Sequence, residues 1–187
     1  MIINLRGTSG SGKTTLVNRL IGLYGSKVTF REEGRKQPIG YVYRHPKHGK
    51  QLALIGHYET PCGGCDTIPN MDKIFTLVRQ AHEAGYDVLF EGLLISAEIR
   101  RALELHQEGL PLIVVELTTP VDLCVESVNL RRIAKKGDAA VPLNPKNTVD
   151  KAKGVRSSTK KLQEEGVRCV ALSREEAFKL IKEEFRL

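Results

Sequence analysis

A glycine-rich segment near the start of the chain carries the clearest chemical signal. It reads Gly7-Thr8-Ser9-Gly10-Ser11-Gly12-Lys13-Thr14 and fits the pattern G-x-x-x-x-G-K-S/T at every position. Glycines let a loop wrap a phosphate with its backbone N–H groups pointing inward, and a helix beginning at Lys13 adds a positive N-terminal dipole. We expect this segment and Thr15 to bind ATP, with Lys13 on the β- and γ-phosphates and Thr14 on Mg²⁺.

Carboxylates follow two predicted strands at the positions that phosphoryl transfer requires. Glu32 ends the stretch 27–32 and Glu33 follows it, while Glu91 closes the continuous apolar run 87–91. Carboxyl ends of parallel strands converge above such a loop, so Glu32 or Glu33 and Glu91 are predicted to project into one cleft. A carboxylate there orients or deprotonates an acceptor hydroxyl, or holds Mg²⁺ through water. The alternative is that each is a solvated carboxylate at a strand end.

Two other classes of nucleotide-binding protein lack their signatures here. A GTPase needs an N-K-x-D element to bind its base, and Asn147-Thr148-Val149-Asp150 has no lysine at the second position. A motor or repair ATPase would end a strand in Asp-Glu, whereas the candidate strand ends Phe90-Glu91-Gly92. Phosphoryl transfer to a hydroxyl is the chemistry that remains.

Residues 38–69 interrupt the alternation of strands and helices. Residues 41–44 and 51–55 flank a turn-rich stretch and predict an inserted β-hairpin, which a loop over 61–69 follows. The glycines of that loop suggest a backbone brought close to a ligand. We expect acceptor binding by this segment, with aromatic rings stacking on a base and an aspartate accepting a hydrogen bond. The candidate residues are Tyr58, Gly63, Gly64 and Asp66, with Tyr41, Tyr43 and His57 as further rings.

The same segment leaves other interpretations open. Cys62 and Cys65 form a CxxC that could bind zinc with His45 and His57, although paired zinc ligands are usually spaced more tightly. A redox CxxC is less favoured because no thioredoxin-like strand precedes it. The hairpin tyrosines could instead simply cover one face of a sheet.

The elements that must position these residues alternate along the whole chain. Strands are predicted over 2–5, 27–32, 87–91, 112–117 and 167–172, and helices over 13–24, 70–84, 97–107, 120–135, 148–165 and from 174. This order predicts an α/β fold: a parallel sheet flanked by helices, as in P-loop kinases, with the inserted hairpin. The length of 187 residues suits a single domain, 1–187.

Composition limits the environment and the partners. The chain has 29 lysines and arginines against 22 acidic residues, a net charge of +7, and many of the cations cluster in residues 131–161. Such a surplus favours a polyanionic partner, although part of it could serve ATP or lie on solvated surface. No apolar stretch approaches the roughly 20 residues that span a bilayer. We expect a cytoplasmic protein without a membrane partner.

In this order the motifs resemble the nucleoside and nucleotide kinase family of P-loop phosphotransferases. The corresponding segments are Phe30-Arg31-Glu32-Glu33, Leu89-Phe90-Glu91-Gly92, and Thr119-Pro120-Val121-Asp122 leading to Arg131-Arg132. The resemblance covers the chain outside 38–69 and implies that Glu32 is the general base. It also implies that Glu91 holds Mg²⁺-bound water, or that these two roles are reversed. Arg131 and Arg132 would form a lid over the phosphates, unless they are an exposed basic helix end.

The chain is also similar to phage P-loop kinases that phosphorylate hydroxymethyluracil bases within DNA. The likeness rests on the general organisation and on the loop Gly63-Gly64-Cys65-Asp66. It implies an acceptor in a nucleic acid, in line with the basic region 131–161. The alternatives are a kinase of free nucleotides or small metabolites, and a regulator that binds nucleotide without transferring phosphate.

Overall fold

The glycine-rich segment follows the middle strand of the parallel part of a large sheet. The strands are Ile2–Arg6 (β1), Lys27–Phe30 (β2), Gly40–Tyr43 (β3), Leu52–Ile55 (β4), Asp87–Glu91 (β5), Leu112–Leu117 (β6) and Arg168–Leu172 (β7). A computed structural model describes residues 1–60 and 63–187, and these form one seven-stranded sheet in the order β2-β3-β4-β5-β1-β6-β7. The helices are Lys13–Ile21 (α1), Met71–Glu83 (α2), Arg100–Gln107 (α3), Val121–Lys136 (α4), Pro145–Glu164 (α5) and Arg174–Glu184 (α6).

The sheet is parallel from β4 to β7 and antiparallel from β2 to β4. The predicted hairpin is therefore present, with Gly40 opposite Ile55, and the predicted α/β architecture is confirmed. One feature differs from the expectation of a simple insert: β4 also pairs in parallel with β5, with Leu52 beside Asp87. β4 thus belongs both to the hairpin and to the parallel part of the sheet.

Helices cover both faces of the sheet, which explains the unbroken apolar runs. The strands β1, β5 and β6 are buried at every position because neither face meets solvent. On one face, side chains of α2, α3 and α5 pack on the sheet; the other face packs against α1 and α6. This arrangement holds the carboxyl ends of the parallel strands, where the glycine-rich segment lies, along one edge.

Helix ends are fixed by local side chains. The Asn70 side chain accepts a hydrogen bond from the Lys73 N–H at the start of α2, and Ser173 and Glu176 form a capping box at the start of α6. α5 begins three residues earlier than predicted, at Pro145, because the proline suits the first helical turn and Asn144 caps it. None of the helices in the described part of the chain is long and apolar enough to cross a membrane.

A buried arginine ties the glycine-rich segment to two other elements. Arg6 is the last residue of β1, and its guanidinium donates to Asn4 Oδ1 (2.6 Å), the Glu98 carbonyl (2.5 Å) and Ser158 Oγ of α5 (3.3 Å). Burial lowers the pKa of Arg6 to about 10, and the charge of Glu98 partly opposes that shift. The segment after β5 and the middle of α5 are thereby anchored at the base of the loop.

The unequal burial of β4 and β2 predicts different costs of truncation. Leu54 of β4 is 0% exposed and Val28 of β2 is 61% exposed. Leu54→Ala should lower the free energy of unfolding by about 2–5 kcal/mol through lost packing and a residual cavity. Val28→Ala should cost less than about 1 kcal/mol. Urea unfolding measures both, and equal losses would contradict an interior position for β4.

Candidate active site

The glycine-rich segment, the P-loop, turns back on itself in conformations that only glycine tolerates. Gly10 and Gly12 have φ values of 84° and 89°. A Cβ on Gly10 would lie 2.2 Å from the Cys124 carbonyl oxygen, and one on Gly12 would lie 2.5 Å from Arg174 Cδ. The loop is thus packed directly against α4 and α6, and a side chain at either glycine would displace it.

Lys13 lies buried across this loop. Its Nζ donates to the carbonyl oxygens of Gly7 (2.7 Å) and Thr8 (3.1 Å). Burial lowers the pKa of Lys13, while the charge of Glu91 opposes the shift. A buried ammonium with a carboxylate nearby is a pre-organised partner for phosphate oxygens.

Glu91 and Thr14 meet beside the loop. Glu91 is buried at the end of β5, and its Oε1 accepts a hydrogen bond from the Thr14 hydroxyl at 2.9 Å. Burial raises the pKa of Glu91, and the charge of Lys13 and the bond from Thr14 oppose that shift. A hydroxyl and a carboxylate are hard oxygen donors, so this pair fits Mg²⁺, which takes one or two protein ligands and completes its shell with phosphate and water oxygens.

A cavity of ≈ 780 Å³ opens above these groups. It brings together most of the residues that the sequence singled out. The lining residues that the sequence had already indicated are Ser9, Gly10, Gly12, Lys13, Thr14, Thr15, Tyr58, Gly63, Asp66, Glu91 and Arg131. The lining residues that it had not indicated include Glu59, Thr60, Leu93, Leu130 and Arg174. Gly7 and Thr8 lie on the other side of the loop, at a smaller cavity of ≈ 320 Å³, and Ser11 is buried within the loop.

Glu32 and Glu33 do not line the cavity that contains Glu91. They follow β2, the outermost strand, which lies three strand spacings, roughly 14 Å, from β5. Glu32 forms an ion pair with Lys73 of α2, and Glu33 is exposed. The expectation of a shared cleft is not met because the hairpin separates β2 from the parallel strands.

Glu59 lies where the sequence argument had placed Glu32. β4 is the parallel neighbour of β5, and the chain leaves its carboxyl end toward Glu59, whose side chain lines the cavity and is 41% exposed. Lys27 Nζ and Arg31 Nη2 lie 3.7 Å and 3.6 Å from its carboxylate oxygens. The parallel neighbour of β5 is β4 rather than β2, so the carboxylate that follows a strand end into the cavity is Glu59.

The hairpin tyrosines have different surroundings. Tyr41 and Tyr43 are buried against one sheet face, which is the alternative that the sequence left open. Tyr58 is also buried, in a T-shaped contact with Tyr41 at 6.4 Å, but it lines the cavity. Its hydroxyl is buried, and that burial raises its pKa well above the ordinary value. Tyr58 therefore offers a buried hydroxyl rather than a free ring face.

Asp66 and Gly64 shape the wall next to Glu91. Asp66 accepts hydrogen bonds from the backbone N–H groups of Leu93 (2.7 Å) and Leu94 (3.0 Å), so it holds the turn after β5. Gly64 has a φ of 82°, and a Cβ there would lie 2.8 Å from Glu91 Oε1. The predicted close approach of this glycine is to a carboxylate of the protein itself.

The CxxC is described only in part, because Cys62 lies outside the described residues. Cys65 is fully buried, its Sγ donates to the Ile55 carbonyl (3.3 Å), and burial raises its pKa well above the ordinary value. Those surroundings suit a thiol rather than a zinc-bound thiolate. Among the described residues, no group of three or more His, Cys, Asp and Glu side chains is arranged to hold a metal ion.

The basic residues divide between the cavity and the surface. Arg131 of α4 and Arg174 of α6 line the cavity. Arg132 instead donates to the Val141 carbonyl (2.9 Å) and fixes the segment after α4. Arg174 follows β7, so the rule of converging strand ends could have found it.

Comparison with known proteins gives close relatives. No family model matches the chain. The chain is 52% identical over 182 residues to the 5-hmdU DNA kinase of Pseudomonas phage PaMx11, covering 97% of this chain and 95% of that protein. It is 30% identical over 141 residues to the 5-hmdU DNA kinase of Pseudomonas phage M6, covering 71% and 73%. A deoxyadenosine kinase from M. mycoides, solved with bound dATP, aligns over both whole chains at 13% identity and a TM-score of 0.45.

Gly64→Ala tests the contact between the 63–66 segment and Glu91. The new methyl group would press on the carbonyl oxygen and the carboxylate of Glu91, 2.7 Å and 2.8 Å from its position, and a misplacement of about 1 Å can lower activity about 10²-fold. Gly34→Ala is the matched control, since Gly34 has a similar φ of 76° but nothing within 4 Å of its Cβ position. Gly64→Ala should also lose more stability than Gly34→Ala, because the φ of 82° and ψ of −163° at Gly64 lie in a region that is essentially restricted to glycine. Phosphate transfer and thermal unfolding separate the two effects, and equal activity losses would contradict the contact.

Proposed function

The chain belongs to the 5-hmdU DNA kinase family, and on that premise we propose that it phosphorylates the hydroxymethyl oxygen of 5-hydroxymethyluracil in DNA with ATP. The chain is a phosphotransferase, as its relatives are. The observation that carries the proposal is the single cavity that Lys13, Glu91, Thr14 and Glu59 line together. It contains a phosphate-binding loop, a metal-binding pair and a further carboxylate, which are the parts that phosphoryl transfer requires.

The donor side of the cavity consists of the P-loop and two arginines. Backbone N–H groups of residues 7–15 and the Lys13 ammonium would bind the phosphates of ATP. Arg131 and Arg174 approach from α4 and α6 and would neutralise charge on the moving phosphoryl group. Thr14 would ligate Mg²⁺ directly and Glu91 through water. When bound, the ion would offset the negative charge of the β- and γ-phosphates.

On the acceptor side, Glu59 is the proposed base. The hydroxymethyl oxygen attacks the γ-phosphorus, the bond from that phosphorus to the β–γ bridging oxygen breaks, ADP leaves, and the hydroxyl proton passes to the Glu59 carboxylate. Lys27 and Arg31 hold that carboxylate from β2 and its end. Tyr58, Gly63 and Asp66 would complete the acceptor wall, with Gly64 behind Glu91.

The remaining predicted residues have supporting roles in this scheme. Glu32 joins the segment after β2 to α2 through Lys73, and Arg132 holds the segment after α4. We propose that the whole chain, 1–187, works as one kinase domain, with residues 38–69 on the acceptor side and residues 131–161 as a basic lid.

The proposal is tested by incubating the protein with γ-labelled ATP and Mg²⁺. The acceptors are DNA containing 5-hydroxymethyluracil, the same DNA with thymine, and free nucleosides and nucleotides including 5-hydroxymethyl-deoxyuridine. We expect label on the modified DNA, and Lys13→Ala should lower the rate about 10²-fold or more through lost phosphate stabilisation. Its thermal unfolding shows whether the variant is folded.

The other outcomes have defined meanings. If only free nucleotides were labelled, we would conclude that the acceptor is a metabolite and not DNA. Nucleotide binding without transfer to any acceptor would indicate a regulator and would overturn the proposal.

A pair of isosteric variants tests the identity of the base. Glu59→Gln should lower kcat by about 10²–10⁴-fold, the usual contribution of a general base. Glu32→Gln should change it less than about fivefold, because its half-exposed ion pair with Lys73 is worth no more than about 1 kcal/mol. Steady-state rates on modified DNA at saturating ATP make the comparison. The reverse order of the two losses would return the base role to Glu32.

A further inference from the structure

We infer that Leu94 is an apolar wedge that occupies the gap left in duplex DNA when the target base turns out into the cavity. The inference rests on the proposed function, since it presumes that the acceptor is a base in DNA. It adds a mode of substrate engagement, base extrusion, and assigns a role to a residue outside the catalytic groups.

The groups that would hold the γ-phosphate and its metal ion are recessed, and this requires the base to move. Lys13 and Glu91 are buried at the floor of a concave cavity. A substituent on C5 of a stacked pyrimidine lies at the floor of the major groove, which is about 8.5 Å deep. The deepest part of the protein cavity and the deepest part of the DNA groove cannot come into contact, because both surfaces are concave. The hydroxymethyl group therefore reaches the γ-phosphate only if its nucleotide leaves the stack, as other enzymes that modify bases require.

Leu94 is presented to solvent by a rigid turn. Its side chain is 65% exposed, although the next residue, Ile95, is fully buried. Its N–H and that of Leu93 both donate to the Asp66 carboxylate. The Ser96 hydroxyl donates to the Gly92 carbonyl at 2.5 Å, which closes the turn from the other side. The backbone on both sides of Leu94 is fixed, so its apolar side chain is held outward.

The position of this turn distinguishes Leu94 from an ordinary exposed leucine. Single exposed apolar residues are common and need no function. Here, however, Leu93 and Asp66, the residue before Leu94 and the acceptor of its N–H, both line the cavity, so Leu94 lies directly beside the cavity lining. Leu23, exposed at 40%, follows α1 at the opposite edge of the sheet and offers a matched comparison. Proteins that kink or open DNA insert side chains of this type, leucine included, between base steps.

The test compares Leu94→Ala, Leu94→Met and Leu23→Ala on two forms of one sequence. The first is duplex DNA with a single 5-hydroxymethyluracil beside 2-aminopurine, whose fluorescence rises on unstacking. The second is the single strand alone, which needs no extrusion. Leu94→Ala should lower kcat/KM on the duplex about tenfold or more and reduce the fluorescence rise, while the single strand changes less than about twofold. Leu94→Met should restore the duplex rate, and Leu23→Ala should leave both rates unchanged.

The remaining outcomes separate this inference from the proposed function. Equal losses on both substrates, or no loss on either, would overturn the wedge. A wild-type protein that labels single strands but no duplex would also overturn it and leave the proposed function intact. Failure of the wild type on every modified DNA would overturn the proposed function itself.

Discussion

The open conformation of the P-loop is the constraint on which the rest of this structure depends. A loop that under the proposed function leaves backbone N–H groups for phosphate makes few bonds within itself, so other elements must hold it. Ser96 accepts from the Gly7 N–H at 3.2 Å, and Thr119 donates to the Ser11 carbonyl at 2.8 Å. Arg6 anchors the base of the loop to α5, and Arg174 packs over Gly12. The sheet order, with β1 in the middle of the parallel strands, brings all of these neighbours within reach.

The buried charges follow from the same constraint. Lys13 and Glu91 both lose hydration, which lowers the pKa of the ammonium and raises that of the carboxylate, and each charge partly compensates the other. Such an arrangement contributes little to stability, because the attraction between the charges scarcely exceeds the cost of burying them. Buried charged side chains with shifted pKa values are characteristic of binding sites in which the ligand completes the charge balance. Under the proposed function, polyphosphate would complete the charge balance of Lys13 and a divalent cation that of Glu91.

Local patterns in the sequence were sufficient for the P-loop, the apolar strands and most of the helices. The P-loop is a contiguous motif, and β1, β5 and β6 are continuous apolar runs, so neither depends on distant residues. The order of the strands in the sheet, in contrast, does depend on residues that are distant in the sequence. Nothing local distinguishes 27–32 from 51–55 as the neighbour of β5, and that choice decides between Glu32 and Glu59 as the carboxylate in the cavity. Arg6 was missed for a related reason, since a charged residue ending an apolar strand gives no local sign of three buried partners.

The hairpin explains both that error and the form of the acceptor side. By inserting β2 and β3 ahead of β4, the chain widens the sheet beyond the parallel strands and places Lys27 and Arg31 against Glu59. A carboxylate exposed to 41% would otherwise sample several rotamers, so the two cations limit its orientation. They also place positive charge beside the acceptor wall, opposite the arginines of the donor side. Under the proposed function, this second positive flank suits an acceptor that carries phosphates on both sides of the target nucleotide, as DNA does and a free nucleoside does not.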